Sequence, residues 1–141
     1  NTYGPGEKSH KYRNVIPNFI DAALNDKKLK ITGDGNEVRD FTFIEDAAEI
    51  IYKCLMLKKN KYLVINSCTG KYTKIIDLAK KIKLLTKSNS KIQVINKLRA
   101  WDKIKIRAGS TKKNKKILNK KSYTGIDEGL KKTIRWYKNN I

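Results

Sequence analysis

LKITGDGNEVRDFTFIEDAAEIIYKCL, residues 29–55, changes its hydrophobic rhythm within one short stretch. Leu29, Lys30, Ile31 and Thr32 alternate as a short strand does, and Gly33-Asp34-Gly35-Asn36 is a turn cluster. A second extended piece over residues 40–44 runs into Ala47, Ile50, Ile51, Cys54 and Leu55, which recur at helical spacing. A period of two that gives way to 3.6 without a linker predicts an α/β or α+β unit.

The same alternation continues outward. Upstream, Ile16, Phe19, Ile20, Ala23 and Leu24 keep to one helical face, and Pro17 suits a first turn. Downstream, Tyr62, Leu63, Val64 and Ile65 form a compact apolar run of the kind found in buried parallel strands. Thr73 is placed to cap a helix that carries Ile75, Leu78, Ala79, Ile82 and Leu85 on one side. Residues 91–96 read as a strand, and 103–107 alternate with period two as a half-buried strand should. Ser110 is placed to cap a short helix through Leu118, with Asn119 where a left-handed residue is wanted. Thr124 and Asp127 open a last helix that aligns Ile126, Leu130, Ile134 and Tyr137. There is no internal repeat and no clear domain boundary.

The 141 residues suffice for one domain with a modest core. A hydrophobic fraction of 39%, with no apolar run near a span's length, gives no transmembrane helix, and a cytoplasmic protein is the expectation. Cys54, Cys68 and the single His10 have neither metal-ligand spacing nor a disulfide framework; both cysteines read as free core or near-core residues. Asn1-Thr2-Tyr3-Gly4-Pro5-Gly6 opens without an initiator Met, and the expectation is a piece of a longer chain.

A net charge of +20 raises the question of nucleic acid. Only five of the 33 basic residues are Arg, however, and the Lys excess runs along the whole chain beside many Ile and Asn. The dense cluster is Lys112, Lys113, Lys115, Lys116, Lys120 and Lys121. It reads better as a solvated surface that attracts polyanions non-specifically than as a dedicated site, which would mix in Arg and stacking aromatics.

No catalytic constellation stands out: there is no Ser-His-Asp set and no Cys-His pair. Gly33-Asp34-Gly35 lacks the later glycine and the helix of a dinucleotide fingerprint, and Glu45, Asp46 and Glu49 suit a helix start. Arg39 and Arg99, retained amid so much Lys, are the right chemistry for a diphosphate, which guanidinium groups grip bidentately. On spacing alone, two surface ion-pair members remain an equal reading.

Taken in order, Asn1-Thr-Tyr-Gly-Pro, Arg13-Asn-Val-Ile-Pro-Asn-Phe-Ile, Leu29-Lys-Ile-Thr-Gly-Asp-Gly, Arg39-Asp-Phe-Thr-Phe-Ile-Glu-Asp46, Ile65-Asn-Ser-Cys-Thr-Gly70, Arg99-Ala-Trp-Asp102, Asp127-Glu-Gly-Leu130 and Trp136-Tyr137 resemble the carboxyl-terminal half of extended short-chain dehydrogenase/reductases acting on nucleotide-diphosphate sugars. Within that family the string is most similar to the UDP-glucose 4-epimerase group. The resemblance implies an α/β fold: the carboxyl-terminal substrate-binding lobe of a Rossmann-type enzyme, a small mixed sheet with helices, most of the Rossmann lobe missing. It implies that residues 1–141 are one substrate-binding portion and that a strand over 62–66 completes the NAD-binding lobe.

By the same resemblance, Asn1, Asn14, Val15, Lys30, Ile31, Thr32, Arg39, Phe41, Arg99 and Asp102 are the expected substrate-binding residues. Asn14 and Val15 would meet the phosphates, and 30–32 would offer backbone groups to the base. Arg39 and Arg99 would hold the diphosphate and Asp102 a ribose hydroxyl, with Phe41 lining the pocket. The expected cofactor is NAD, held mainly by the amino-terminal lobe; the expected partners are a UDP-sugar or other NDP-sugar and, at full length, a second copy in a homodimer. The family's glycine-rich loop and catalytic Tyr-x-x-x-Lys pair have no counterpart here, so these residues alone are expected to be inactive.

Overall fold

The computed structural model describes residues 1–10, 14–58, 62–96 and 104–141. Its elements are β1 (Thr2–Tyr3), α1 (Val15–Leu24), β2 (Leu29–Thr32), β3 (Val38–Arg39), β4 (Thr42–Phe43), α2 (Ile44–Leu55), β5 (Thr73–Lys74), α3 (Ile75–Thr86), β6 (Ile92–Ile95), β7 (Ile106–Arg107), α4 (Lys112–Leu118) and α5 (Ile126–Asn140). The mixed sheet is the three-stranded one, ordered β5-β3-β7, with β3 antiparallel to β5 and parallel to β7. Two parallel pairs accompany it, β1 with β4 and β2 with β6.

The core follows from the helical stripes. Ile16, Phe19, Ile20 and Ala23 of α1, Leu78, Ala79 and Ile82 of α3, and Leu130, Ile134 and Tyr137 of α5 close on one cluster with Leu29 and Ile31 of β2. Burying a side chain of this size is worth roughly 1.5–3 kcal/mol, so the three-helix contact supplies most of the fold's driving force. Tyr3 joins it from the chain start, edge-on to Phe41 at 6.4 Å and to Phe43 at 5.6 Å between centroids. Gly129 of α5 lets that ring in, because a Cβ there would collide with the phenol of Tyr3. Tyr137 in turn donates its hydroxyl to the Glu7 carbonyl at 2.7 Å, and burial first, then Asp21 and Glu7, push its phenol up to about 12.

Several local expectations are corrected. Thr73 lies in β5, and α3 begins at Ile75 after Lys74 with no side-chain cap; its first donors are used by the preceding chain, Ile75 N–H on the Glu37 carbonyl and Ile76 N–H on that of Gly35, each at 3.0 Å. Thr124 does not cap α5, which Gly125 precedes; its N–H is instead donated to Asp46 at 2.8 Å. Of the period-two run at 103–107, only Ile106–Arg107 is a strand among the described residues, and it is exposed rather than half-buried. Ser110 sits one residue before the helix-flanking Thr111, whereas Asn119 does take the left-handed conformation, with φ 49°.

Residues 62–66, expected to pair with a sheet outside this chain, pair with no described residue, and Tyr62, Leu63 and Val64 are exposed. The stripe on α2 divides in the same way. Ala47 and Ile50 are buried, but Ile51 and Leu55, expected on the same face, are 58% and 77% exposed. Ile44, Tyr52 and Met56 are exposed apolar residues as well, as are Tyr62, Leu63 and Val64. Surface apolar patches of this kind mark interaction sites.

One basic residue also changes role. Lys112, Lys113, Lys115, Lys116 and Lys121 are exposed as expected, but Lys120 is only 4% exposed. Its ammonium donates to Asp46 at 2.8 Å and Glu49 at 2.6 Å, and lies 4.8 Å from the Tyr123 ring centroid. Asp46 lies in the first turn of α2, as expected, and also accepts from Lys120 and from the Thr124 N–H, which ties α2 to the α4–α5 connection.

The pH behaviour follows with its sign. Burial works against the Lys120 charge, but the hydrogen bonds to Asp46 and Glu49 outweigh it and hold the ammonium above its usual range. That stability is complete below about pH 10.4 and is lost as pH rises through the raised value. Glu49 is held below the carboxylate range by Lys120 and then Lys53; its contribution is present above about pH 4.3 and lost as pH falls through the lowered value. Lys120→Met leaves Asp46 buried without its cation and is expected to cost about 3 kcal/mol at pH 7 in urea unfolding. The variant is also expected to lose the part of the alkaline decline in stability that Lys120 contributes in the wild type.

Candidate functional site

The chain's opening residues meet the β3–β4 passage through backbone pairing. The register sets Thr2 opposite Thr42. Asn1 then accepts the Thr42 N–H on its carbonyl at 2.9 Å, and its carboxamide donates to the Asp40 carbonyl at 3.3 Å. Arg39 precedes Asp40 at the end of β3, half-buried, with one guanidinium nitrogen donating to the Val38 carbonyl at 2.9 Å and the Lys105 carbonyl at 3.0 Å. Phe41 follows, 6% exposed against Tyr3. The structure therefore brings Asn1, Arg39 and Phe41 to one place, centred on Asp40.

Asp40 was not singled out by its sequence position, yet it carries the densest polar contacts here. Its Oδ1 accepts from the Thr69 hydroxyl at 2.6 Å and the Thr69 N–H at 3.1 Å, while Oδ2 accepts from the Gly70 N–H at 2.8 Å. Next to it, burial and then the Asp40 charge push the Cys68 thiol up, so this buried cysteine is a poor nucleophile. Only the Arg-Asp-Phe string itself pointed to the position.

Lys30, Ile31 and Thr32 lie on β2 as expected, but they are not equivalent. The Leu29 N–H bonds the Lys91 carbonyl and the Gly33 N–H bonds that of Ile95, each at 3.0 Å. Alternation therefore turns the Ile31 backbone towards β6 as well and the backbone groups of Lys30 and Thr32 towards the opposite edge. No strand pairs with that edge among the described residues. Of the three, Lys30 and Thr32 are the ones whose backbone groups can meet a ligand, while Ile31 anchors the strand by its buried side chain.

Asn14 directly precedes α1 and makes no cap bond; its carboxamide donates to Glu7 at 3.1 Å. α1 also has no acidic residue in its first turn, unlike α2, α3 and α5. The N–H groups that begin at Val15 thus form a helix end suited to an anion. Arg99 and Asp102 lie outside the described residues.

Gly33 and Gly35 both have positive φ, +87° and +79°, as the tight turn from β2 to β3 requires. The turn opens a strand rather than a helix, so it offers no helix end to a pyrophosphate and does not fit a nicotinamide dinucleotide. Glu37, 7% exposed, packs on Gly33 where a Cβ would collide with its carboxylate, and its Oε2 has no hydrogen-bond partner. Among the described residues no group of His, Cys, Asp or Glu could hold a metal ion, and no helix is long and apolar enough to cross a membrane.

Residues 1–66 match the NAD dependent epimerase/dehydratase family. Over those residues the chain is similar in sequence to that family, and its fold is similar to that of the solved structures below. A UDP-N-acetyl-alpha-D-glucosaminuronate decarboxylase of Bacillus cytotoxicus is 33% identical over 98% of this chain and 44% of its own length. An epimerase structure from Methanothermobacter thermautotrophicus is 36% identical with a TM-score of 0.94, covering 99% of this chain and 41% of that one. The Bordetella bronchiseptica enzyme WbmF, solved in complex with NAD+ and UDP, is 37% identical with a TM-score of 0.84, over 99% and 44%. The chain thus spans less than half the length of these relatives.

The one oxygen of Glu37 without a partner among the described residues gives the site its own check. Glu37→Gln keeps the shape and removes a buried charge, and is expected to raise stability by about 1 kcal/mol in urea unfolding. A loss of stability instead would show that the carboxylate has a donor.

Proposed function

We propose that this chain is the nucleotide-sugar-binding portion of an NAD-dependent NDP-sugar epimerase or dehydratase, of the UDP-glucose 4-epimerase kind. The observation that carries the reading is the meeting of Asn1, Arg39 and Phe41 at one point in a fold shared with an enzyme solved with NAD+ and UDP. In this reading the Arg39 guanidinium, with donors beyond the one turned to backbone carbonyls, takes the diphosphate bidentately. The acid-free start of α1 at Asn14 and Val15 neutralises a second phosphate oxygen, and the outward edge of Lys30 and Thr32 reads the base. Arg99 and Asp102 complete the grip from the diphosphate and ribose side.

Catalysis and most of the NAD site belong, in this proposal, to polypeptide that corresponds to the rest of the relatives' length. The 141 residues contain no Tyr-x-x-x-Lys pair and no glycine-rich loop opening a helix. The exposed apolar residues of α2 and 62–64 fit such a lobe: the run Tyr62-Leu63-Val64-Ile65 has the composition of an inner parallel strand, which a sheet edge of that lobe would pair. Leu63→Asp is expected to leave this chain folded by circular dichroism while abolishing its stable joining to that lobe.

UDP binding measured by calorimetry on the full-length protein tests the main reading. Arg39→Ala is expected to reduce UDP binding to the level of uridine in the folded protein, because the guanidinium is the group that takes the diphosphate in this reading. The rival reading, a basic module for nucleic acid, rests on the +20 charge. It would be favoured if Arg39→Ala left UDP binding intact while DNA bound tightly with a steep salt dependence.

A further inference from the structure

We propose that Asp40 is a positioning residue of the nucleotide-diphosphate grip, one that holds Arg39 and Phe41 in place from behind through the turn at Thr69 and Gly70. The inference rests on the nucleotide-sugar reading and adds to it a residue that need not touch the substrate.

The argument starts from the size of the strands. β3 is Val38–Arg39 and β4 is Thr42–Phe43, so neither ladder is long enough to fix the residues between them. Asp40 supplies what the ladders lack. Its N–H donates to the Arg107 carbonyl at 3.1 Å, and its own carbonyl accepts from Asn1 at 3.3 Å. Its carboxylate takes the three donors of Thr69 and Gly70. Thr69 is itself held, since its hydroxyl oxygen accepts the Lys71 N–H at 3.0 Å, and the turn leads into β5, where Thr73 pairs with Arg39. A loop is thus closed: Arg39, Asp40, Thr69, Gly70, Thr73 and back to Arg39. A guanidinium that must meet two phosphate oxygens in one geometry needs such a base, because a displacement near 1 Å forfeits bidentate contact.

The chemistry also explains why the side chain is a carboxylate. Three donors converge on its two oxygens, and an ionised carboxyl only accepts. The isosteric amide would turn an NH2 group on either Gly70 or Thr69, whichever way it is oriented, and one donor would lose its partner. Asp40 is 4% exposed and Thr69 7%, so water does not readily replace the missing bond.

The test compares UDP with uridine on the full-length protein, because a residue that merely holds the fold would weaken both alike. Asp40→Asn and Thr69→Val are each expected to lower UDP affinity by about tenfold with uridine affinity unchanged. Thr69→Ser, which keeps the hydroxyl, is expected to bind UDP like the wild type. Arg39→Ala is expected to bind UDP no better than uridine, and adding Asp40→Asn to it to change nothing further. Wild-type UDP affinity in folded Asp40→Asn and Thr69→Val, with Arg39→Ala still inactive in binding, would overturn the positioning role and leave the nucleotide-sugar reading standing. Wild-type UDP affinity in Arg39→Ala would bring down that reading and the role of Asp40 with it. Unfolding of both Asp40→Asn and Thr69→Val at the assay temperature, or equal loss of UDP and uridine, would make Asp40 a fold residue and overturn the proposal.

Discussion

Among the described residues five of the seven strands are only two residues long, and that constraint governs the rest of the structure. A pair of two-residue strands carries too few ladder bonds to outweigh the entropy of ordering its backbone, which costs roughly 1–2 kcal/mol per residue. The strands must therefore be held by something other than each other. One answer is apolar: the ring of Tyr3 seats β1 against Phe41, Phe43 and the gap left by Gly129. The other is polar and local, with buried carboxylates that collect backbone N–H groups from distant loops. Asp40 holds the turn before β5, and Asp46 holds Thr124 before α5 together with Lys120.

These two carboxylates differ in a way that matters. Asp46 is matched by a buried ammonium, so its site is an ion pair whose removal from one side is costly while its net contribution is modest. Asp40 is satisfied by two N–H groups and a hydroxyl in the contacts given above, all of them neutral. A charge stabilised by fixed dipoles depends on those dipoles staying where they are, so the Thr69–Gly70 turn and the Arg39–Phe41 passage each determine the position of the other. Stability and site geometry are coupled there, whereas the Lys120 network lies on the α2–α4 side.

What could be read from the sequence divides along the same line. α1, α3 and α5 were legible because a stripe such as Leu130, Ile134 and Tyr137 is a local pattern with a single physical meaning. β2 and β6 were legible for the same reason. The burial of Lys120 was not, because its partners lie 74 and 71 residues away and nothing in a run of lysines marks the one that will be desolvated. The capping role given to Thr73 failed because the β2–β3 connection, at Gly35 and Glu37, supplies the acceptors that a cap would otherwise provide. At the site, the contact of Asn1 with the Asp40 backbone joins residues 39 positions apart and had no local pattern to announce it. The division of labour within 30–32 needed the register with β6 and could not be seen without it.

The surface carries the last piece of the argument. A chain with a net charge of +20 repels itself, and such repulsion ordinarily keeps a molecule apart from its copies. Against that background the exposure of Ile51, Tyr52, Leu55, Met56, Tyr62, Leu63 and Val64 in one short segment is costly and unlike the scattered apolar residues of an ordinary surface. Lys113 already donates to the Val64 carbonyl at 2.7 Å, so one backbone acceptor of this run is satisfied from within the chain. Among the described residues no strand pairs with the rest of the run, although it has the composition of a buried strand. Composition suited to two-sided burial and a fold that buries one side are reconciled when a further apolar surface covers Ile51, Leu55 and Leu63.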